Sequence, residues 1–286
     1  MKKFLFSGLS LLLSLSHIVH AGDIASDVRA GQNSVDENGG FFELGASAGY
    51  YSNPRILSSD DYDDGFVAGL IMSGDYRYNG FFIEADHNTS DGLNLGYTLA
   101  NIDNWTIDLL AGSVIGKVDT EFTDEFEKKE FPTDEEKLEY LDERDTLFAG
   151  AGIRLTGYFN NFVMQYRLVT DIYESNGVVS TIRFGRNWQY RNWNYHGIFS
   201  LEYTSEKTNN YWYGISQDEA VLQYTPYEAK DSFNVSAEVG VSYPINENWV
   251  YRSFARYKWL DSTISNSPLI DDDYEFVVIN SITYVF

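Results

Sequence analysis

His87-Asn88-Thr89-Ser90-Asp91 gathers an imidazole, two hydroxyls and a carboxylate into five consecutive residues. These are the groups a hydrolase or acyltransferase uses for nucleophilic attack and proton transfer. The spacing does not carry that chemistry. A His and a Ser three apart in a tight loop arise readily by chance, and no nucleophile elbow or second acid and base pair accompanies them. His196 is the one other histidine beyond residue 21, and it alternates onto the polar face of its segment. There it is expected to be a hydrogen-bonded filler rather than a metal ligand. The chain has no cysteine, no phosphate-cradling glycine loop, no haem motif and no metal cluster. No catalytic residue, cofactor or metal is assigned, and the protein is expected not to be an enzyme.

The remaining charged residues recur on one face of alternating segments. Arg154, Arg167, Arg183, Arg252, Arg256 and Lys258 fall on the polar face, as do Glu43, Glu84, Asp86, Asp108, Glu202 and Glu238. Phe233, Val235, Ala237, Val239, Val241 and Tyr243 alternate with Asn234, Ser236, Glu238, Gly240 and Ser242. Likewise Leu147, Ala149, Ala151, Ile153 and Leu155 oppose Arg154, while Phe162, Met164, Tyr166 and Leu168 oppose Gln165 and Arg167. A two-residue period with one apolar face describes strands that meet lipid outside and water or protein inside. Two outcomes remain open for the inward charges. Basic residues across from acidic ones would make a transverse field in an open pore, or the opposite charges would pair and plug a narrow barrel.

Such charges need a closed set of strands to hold them. Lys2 and Lys3 precede an apolar run from Phe4 to Leu15, and Val19-His20-Ala21 forms a cleavage site, so residues 1–21 read as a secretory signal peptide. No later stretch is apolar enough for a spanning helix, which leaves a closed β-barrel as the way to cross a membrane. The 22 Tyr, 19 Phe and 6 Trp beside a modestly polar average suit strands that are half lipid-facing. Losing the two leader lysines takes the formal charge from −23 to −25, which argues against nucleic acid as a partner.

Five Asn-containing turns are each followed by an aromatic: Asn79-Gly80-Phe81, Asn104-Trp105, Asn161-Phe162, Asn192-Trp193 and Asn248-Trp249. Asn and Gly tolerate the left-handed backbone of tight hairpins, and an aromatic after each turn builds a girdle at one membrane interface. Long connections at Ser52 to Asp64, Ile115 to Asp145 and Ser205 to Asp231 lie on the opposite side. The expected architecture is all-β: a transmembrane antiparallel barrel of about 12 strands with long extracellular loops and short periplasmic turns, over residues 41–286, after a polar periplasmic segment at 22–40. The strands read as Phe41–Tyr51, Gly65–Tyr76, Phe81–Asp86, Leu93–Ala100, Trp105–Val114, Thr146–Tyr158, Phe162–Asp171, Val178–Asn187, Trp193–Tyr203, Ser232–Tyr243, Trp249–Leu260 and Asp273–Phe286.

The last of these alternates Tyr274, Phe276, Val278, Asn280, Ile282, Tyr284 and Phe286 on one face. Its ending, with Ile282, Tyr284 and Phe286, resembles the signal by which the barrel-assembly machinery recognises its clients. Asn280 breaks the pattern, so it either turns to a polar neighbour or marks a bulge. The acidic stretch Asp119 to Asp145 holds 13 acidic residues against four basic ones and is expected to be a solvated loop, with a short surface helix over Asp134 to Arg144 carrying Leu138 and Leu141. A cation bridging its carboxylates to lipopolysaccharide phosphates is the sharper alternative. Asp60-Asp61-Tyr62-Asp63-Asp64 and Asp271-Asp272-Asp273 read either as cation sites or as solvated loop edges.

Tyr211-Trp212-Tyr213-Gly214-Ile215-Ser216, followed by Leu222-Gln223-Tyr224-Thr225-Pro226, resembles the Tyr-Tyr-Gly-Val-Ser and Leu-Pro-Ala-Tyr region of the MipA/OmpV family of outer-membrane proteins. Ser267-Pro268-Leu269-Ile270 is similar to that family's Asp-Ser-Pro-Ile-Val loop, and Ser59-Asp60-Asp61-Tyr62, Asn79-Gly80-Phe81-Phe82 and Gly92 to Tyr97 resemble its N-terminal elements. The family motif residues are thus Tyr211, Tyr213, Gly214, Tyr224, Pro226, Ser267 and Pro268. The resemblance implies a barrel in the outer membrane, in contact with its lipid and lipopolysaccharide. It also implies a scaffold that joins a murein lytic transglycosylase to a penicillin-binding protein in peptidoglycan growth. A narrow channel, or a porin-like or adhesion protein, is the alternative.

Overall fold

The computed structural model describes residues 38–56, 65–85, 92–115, 133–143, 148–160 and 162–286. Twelve antiparallel strands close into one barrel in which each pairs with its sequence neighbours and the first meets the last. They are β1 (Gly39–Ser52), β2 (Gly65–Tyr78), β3 (Phe81–Ala85), β4 (Leu93–Ile102), β5 (Trp105–Ile115), β6 (Phe148–Phe159), β7 (Phe162–Asp171), β8 (Val178–Tyr190), β9 (Trp193–Thr204), β10 (Ser232–Pro244), β11 (Trp249–Trp259) and β12 (Tyr274–Val285). Closure leaves no unpaired sheet edge at the seam, which is what lets a sheet stand in hydrocarbon. The signal peptide, residues 22–37, and the His87 and Asp60 groups lie outside the described residues. So does Asp86, where the sequence reading had ended the third strand.

Alternation sets the wall. In β10, Phe233 and Val239 are exposed while Asn234 and Glu238 are buried; in β7, Phe162 and Leu168 face out while Gln165 and Arg167 are buried. The first turn is a two-residue hairpin in which Asn79 (φ 51°) and Gly80 (φ 86°) both take the left-handed conformation. Three others also have two residues, but there the left-handed position is Asp103, Asn160 or Arg191, one residue ahead of the Asn expected to take it. The fifth connection is longer: Ile245 N donates to Trp249 O, and Asn248 then ties the end of β12 by accepting from Val285 N at 2.8 Å. The aromatics that follow the turns all face outward and meet across strands. Phe81 packs on Tyr97, Trp105 on Phe159, Phe162 on Phe184, Trp193 on Tyr243 and Trp249 on Tyr284, which in turn meets Phe286.

Among the described residues three helices lie between strands: α1 (Asp134–Glu143), α2 (Glu206–Tyr213) and α3 (Ser262–Ser265). The short helix expected over Asp134 to Arg144 forms as α1, but it is not wholly solvated: Leu141 is fully buried and Lys137 Nζ donates to Ala220 O at 3.1 Å. The connection after β9 is likewise not a free loop. It turns inward, so that Trp212 packs on Phe148 and joins an apolar cluster of Phe82, Leu110, Val169 and Val179 on the inner wall.

A charge-filled lumen beneath a folded mouth

The inward positions of neighbouring strands bring the charges face to face. Arg154 on β6 is 2% exposed; it donates to Glu84 of β3 through Nη1 (2.6 Å) and Nη2 (2.9 Å), and to Asp108 of β5 through Nε and Nη2. Thr98 Oγ1 donates to the other oxygen of Asp108 at 2.8 Å. Arg77 also donates to Glu84, and Arg77 and Arg154 each stand about 5.0 Å from the Phe82 ring centroid. A guanidinium spread over carboxylates and an aromatic face is well suited to burial, since its planar donors match carboxylate oxygens and it is weakly hydrated. Arg77 was missed in the sequence reading, although its place two residues before a turn on the inner face was legible.

On the opposite wall Arg252 of β11 makes a two-pronged contact with Glu43 of β1, 2.6 Å at each oxygen, and donates to Thr283 of β12 at 2.8 Å. Arg256 donates to Glu238 Oε2 through Nε and Nη2, and Glu238 Oε1 lies 3.0 Å from His196 Nε2. Gly240 makes room for that imidazole: a Cβ there would fall 2.3 Å from His196 Cε1. Lys258 reaches Glu202 at 3.1 Å and Glu275 at 4.0 Å. Arg167 donates to Asn94 Oδ1 and Ser113 Oγ, and Arg183 is buried beside Gln165.

Above these pairs, α2 is fastened by two successive asparagines. Asn209 Nδ2 donates to Lys230 O (2.6 Å) and Ser232 Oγ (2.9 Å), while Asn210 exchanges bonds with Ala229. Neither was singled out beforehand, since an Asn pair at the start of a loop carries no periodic signal. The motif segments meet here: Ser267 Oγ donates to Tyr213 O at 2.7 Å, and Tyr227 Oη to Thr263 O at 2.8 Å. Tyr213 packs on Leu260, Ile264 and Ile270, and burial pushes its hydroxyl up to about 12, with Lys258 opposing and Glu275 reinforcing the shift. Tyr211, Gly214 and Pro226 instead line a recess of about 680 Å³ to which α1 contributes Tyr140. Tyr224 lies in the turn with Val221, Pro268 follows the buried Ser267, and Asp271 N is bonded to Pro54 O at 2.7 Å. The Asp271–Asp273 run forms no cluster of metal-ligand type among the described residues.

At the seam, Asn280 does face outward, and its partner is Tyr251, whose Oη donates to Asn280 Oδ1 at 2.8 Å. Both ladders of β12 run without a shift in register, so the bulge is excluded. Ile282 is exposed, and Phe286 N donates to Phe42 O, with the two rings 5.6 Å apart.

An apolar belted wall, short turns at one end, a folded mouth at the other and an interior of paired charges define an outer-membrane β-barrel. The chain belongs to the family described as MltA-interacting protein MipA, whose profile matches residues 44–286. It is 26% identical over 254 residues to the MltA-interacting protein of Escherichia coli strain K12, covering 86% of this chain and 91% of that one. It is 30% identical over 86 residues to the outer membrane protein Omp26La of Vibrio anguillarum, covering 30% of this chain and 34% of that one. The matched part thus spans about a third of the Vibrio relatives. Among solved structures it is similar to the NanC porin at a TM-score of 0.42 and 10% identity, over 85% of this chain and 98% of that one.

Proposed function

We propose that the protein is a non-enzymatic scaffold of the outer membrane that brings a lytic transglycosylase together with a penicillin-binding protein in peptidoglycan assembly. Its likeness to the E. coli MltA-interacting protein along most of both chains supports this reading. The observation that carries it is the lumen. The charges that would line a pore are engaged with one another, and Asn209 and Asn210 fasten α2 to residues 229–232 of the same connection. Stable interfaces take about 800 Å² from each partner, more than two-residue turns offer, so the periplasmic rim needs the segment around 23–38 as well. Tagged mature protein is expected to retain a murein hydrolase from solubilised envelope, and deletion of residues 23–38 to weaken that retention. A pull-down devoid of hydrolase would remove the scaffold.

The alternative, a narrow channel, draws on the number of inward charges. In planar bilayers the scaffold reading expects no discrete conductance. Unit steps whose ion preference changes in Arg252→Ala and Arg256→Ala would replace it with the channel.

A further inference from the structure

Among the described residues, the outward-facing positions of all twelve strands carry one charged side chain, Arg186 on β8. Every other strand cation points inward: Arg77, Arg154, Arg167, Arg183, Arg252, Arg256 and Lys258 all meet lumenal groups. An isolated charge on a lipid-facing wall is unfavourable at mid-bilayer and tolerable only near an interface. Arg186 satisfies that condition. It pairs across the sheet with Phe162, the residue directly after a periplasmic turn, whose ring stacks on Phe184 at 6.0 Å.

The side chain is also braced. Its guanidinium lies 5.8 Å from the Trp188 ring, and that ring is seated over Gly197, where a Cβ would come within 3.3 Å of it. The cation–π contact fixes the guanidinium on the wall while leaving its N–H edge for an acceptor. No carboxylate supplies one: Arg186 has no ion pair among the described residues. At this depth the acceptor chemistry that the bilayer offers is phosphate. At the tip of the same hairpin Arg191 repeats the arrangement, 5.4 Å from the Tyr190 ring.

We propose that Arg186, braced on Trp188, is a binding site for the phosphate of an anionic phospholipid in the periplasmic leaflet, with Arg191 a weaker second contact nearer the water. The site runs against the protein's overall electrostatics. At a formal charge of −23 the chain as a whole repels anionic headgroups, so retention of such a lipid has to be local. The inference is independent of the scaffold reading.

Native mass spectrometry of the folded mature barrel, exchanged into detergent with phosphatidylglycerol or phosphatidylcholine, reads the site directly. Phosphatidylglycerol adducts are expected to persist, and to fall by about tenfold in Arg186→Ala, the order expected for one charge-assisted hydrogen-bonded contact. Arg186→Lys, which keeps charge but not the planar fork, should lie between. Heat-modifiable migration on gels verifies that each variant is folded. Soluble glycerol phosphate at equal concentration should leave the adducts in place; displacement by it would make this a free-phosphate site and overturn the lipid assignment. Equal retention of the two lipids, or unchanged adducts in Arg186→Ala, would overturn the proposal. The wild-type protein gives a check that needs no variant: phosphatidylglycerol retention should fall as salt is raised before transfer, and salt-independent retention counts against the site.

Discussion

Tyr251 and Asn280 show how one hydrogen bond can decide whether a polar residue is tolerated on a lipid-facing wall. The amide oxygen of Asn280 has little to bond with in hydrocarbon, and the Tyr251 hydroxyl at 2.8 Å supplies what is missing. Removing either partner leaves the other without a bond in lipid, whereas replacing both with apolar residues of similar shape can be nearly neutral. Tyr251→Phe is therefore expected to destabilise the barrel by about 1–2 kcal/mol. Asn280→Val, which leaves the Tyr251 hydroxyl without its acceptor, should cost a similar amount, and the double variant Tyr251→Phe with Asn280→Val should recover most of the loss, in urea-driven unfolding from lipid vesicles. Tyr213 makes a second prediction at this scale. Burial pushes its hydroxyl from the ordinary tyrosine value near 10.0 up to about 12, so the folded mouth resists losing that proton. The folded state then binds more protons than the unfolded one between these values. The associated stability is complete below pH 10 and is lost as pH rises through about 12. Absorbance titration near 295 nm should show one fewer late-ionising tyrosine in Tyr213→Phe than in the wild type.

The element that brings the connection after β9 onto the inner wall is α2. Its helix has only 8 residues and would not persist alone, so its place depends on tertiary bonds. Asn209 and Asn210 supply them to carbonyls at Lys230 and Ala229, on the far side of the same connection. Asn209→Ala with Asn210→Ala should raise hydrogen exchange across residues 205–231 by an order of magnitude or more, with each lost bond contributing about 1 kcal/mol. Strand protection should be unchanged; if the strands lose protection as well, the clasp belongs to the barrel's folding and not to its mouth. The strand positions and facing were legible in this case because a half-lipid wall forces a period of two. The inward turn of residues 205–231 was not, because helix burial inside a lumen leaves no periodic mark in a Tyr- and Asn-rich loop.

For the barrel as a whole, the Glu43–Arg252 pair spans the seam where the first strand meets the last. Glu43 lies on β1, Arg252 on β11 and Thr283 between them on β12, so the contact bridges three strands that come from opposite ends of the chain. Breaking one side of a buried ion pair leaves an uncompensated charge, whereas removing both can be nearly neutral. Glu43→Gln is expected to cost about 3 kcal/mol in vesicle unfolding, and Glu43→Gln with Arg252→Met to recover most of it. A double variant as unstable as the single would show that packing around Glu43, not its charge, holds the seam.

The sequence alone determined the compartment, the strand count, the side of each strand that meets lipid and the side that carries charge. It could do so because hydrocarbon admits no unpaired backbone and imposes the same two-residue rule on every strand. Which charge meets which was decided only in three dimensions. Glu84 and Arg154 are 70 residues apart and Glu43 and Arg252 are 209 apart, and nothing local encodes such pairings. The register of twelve strands around a closed ring brings them opposite one another. The same register faces Arg186 outward, one charge alone at the level of the aromatic belt.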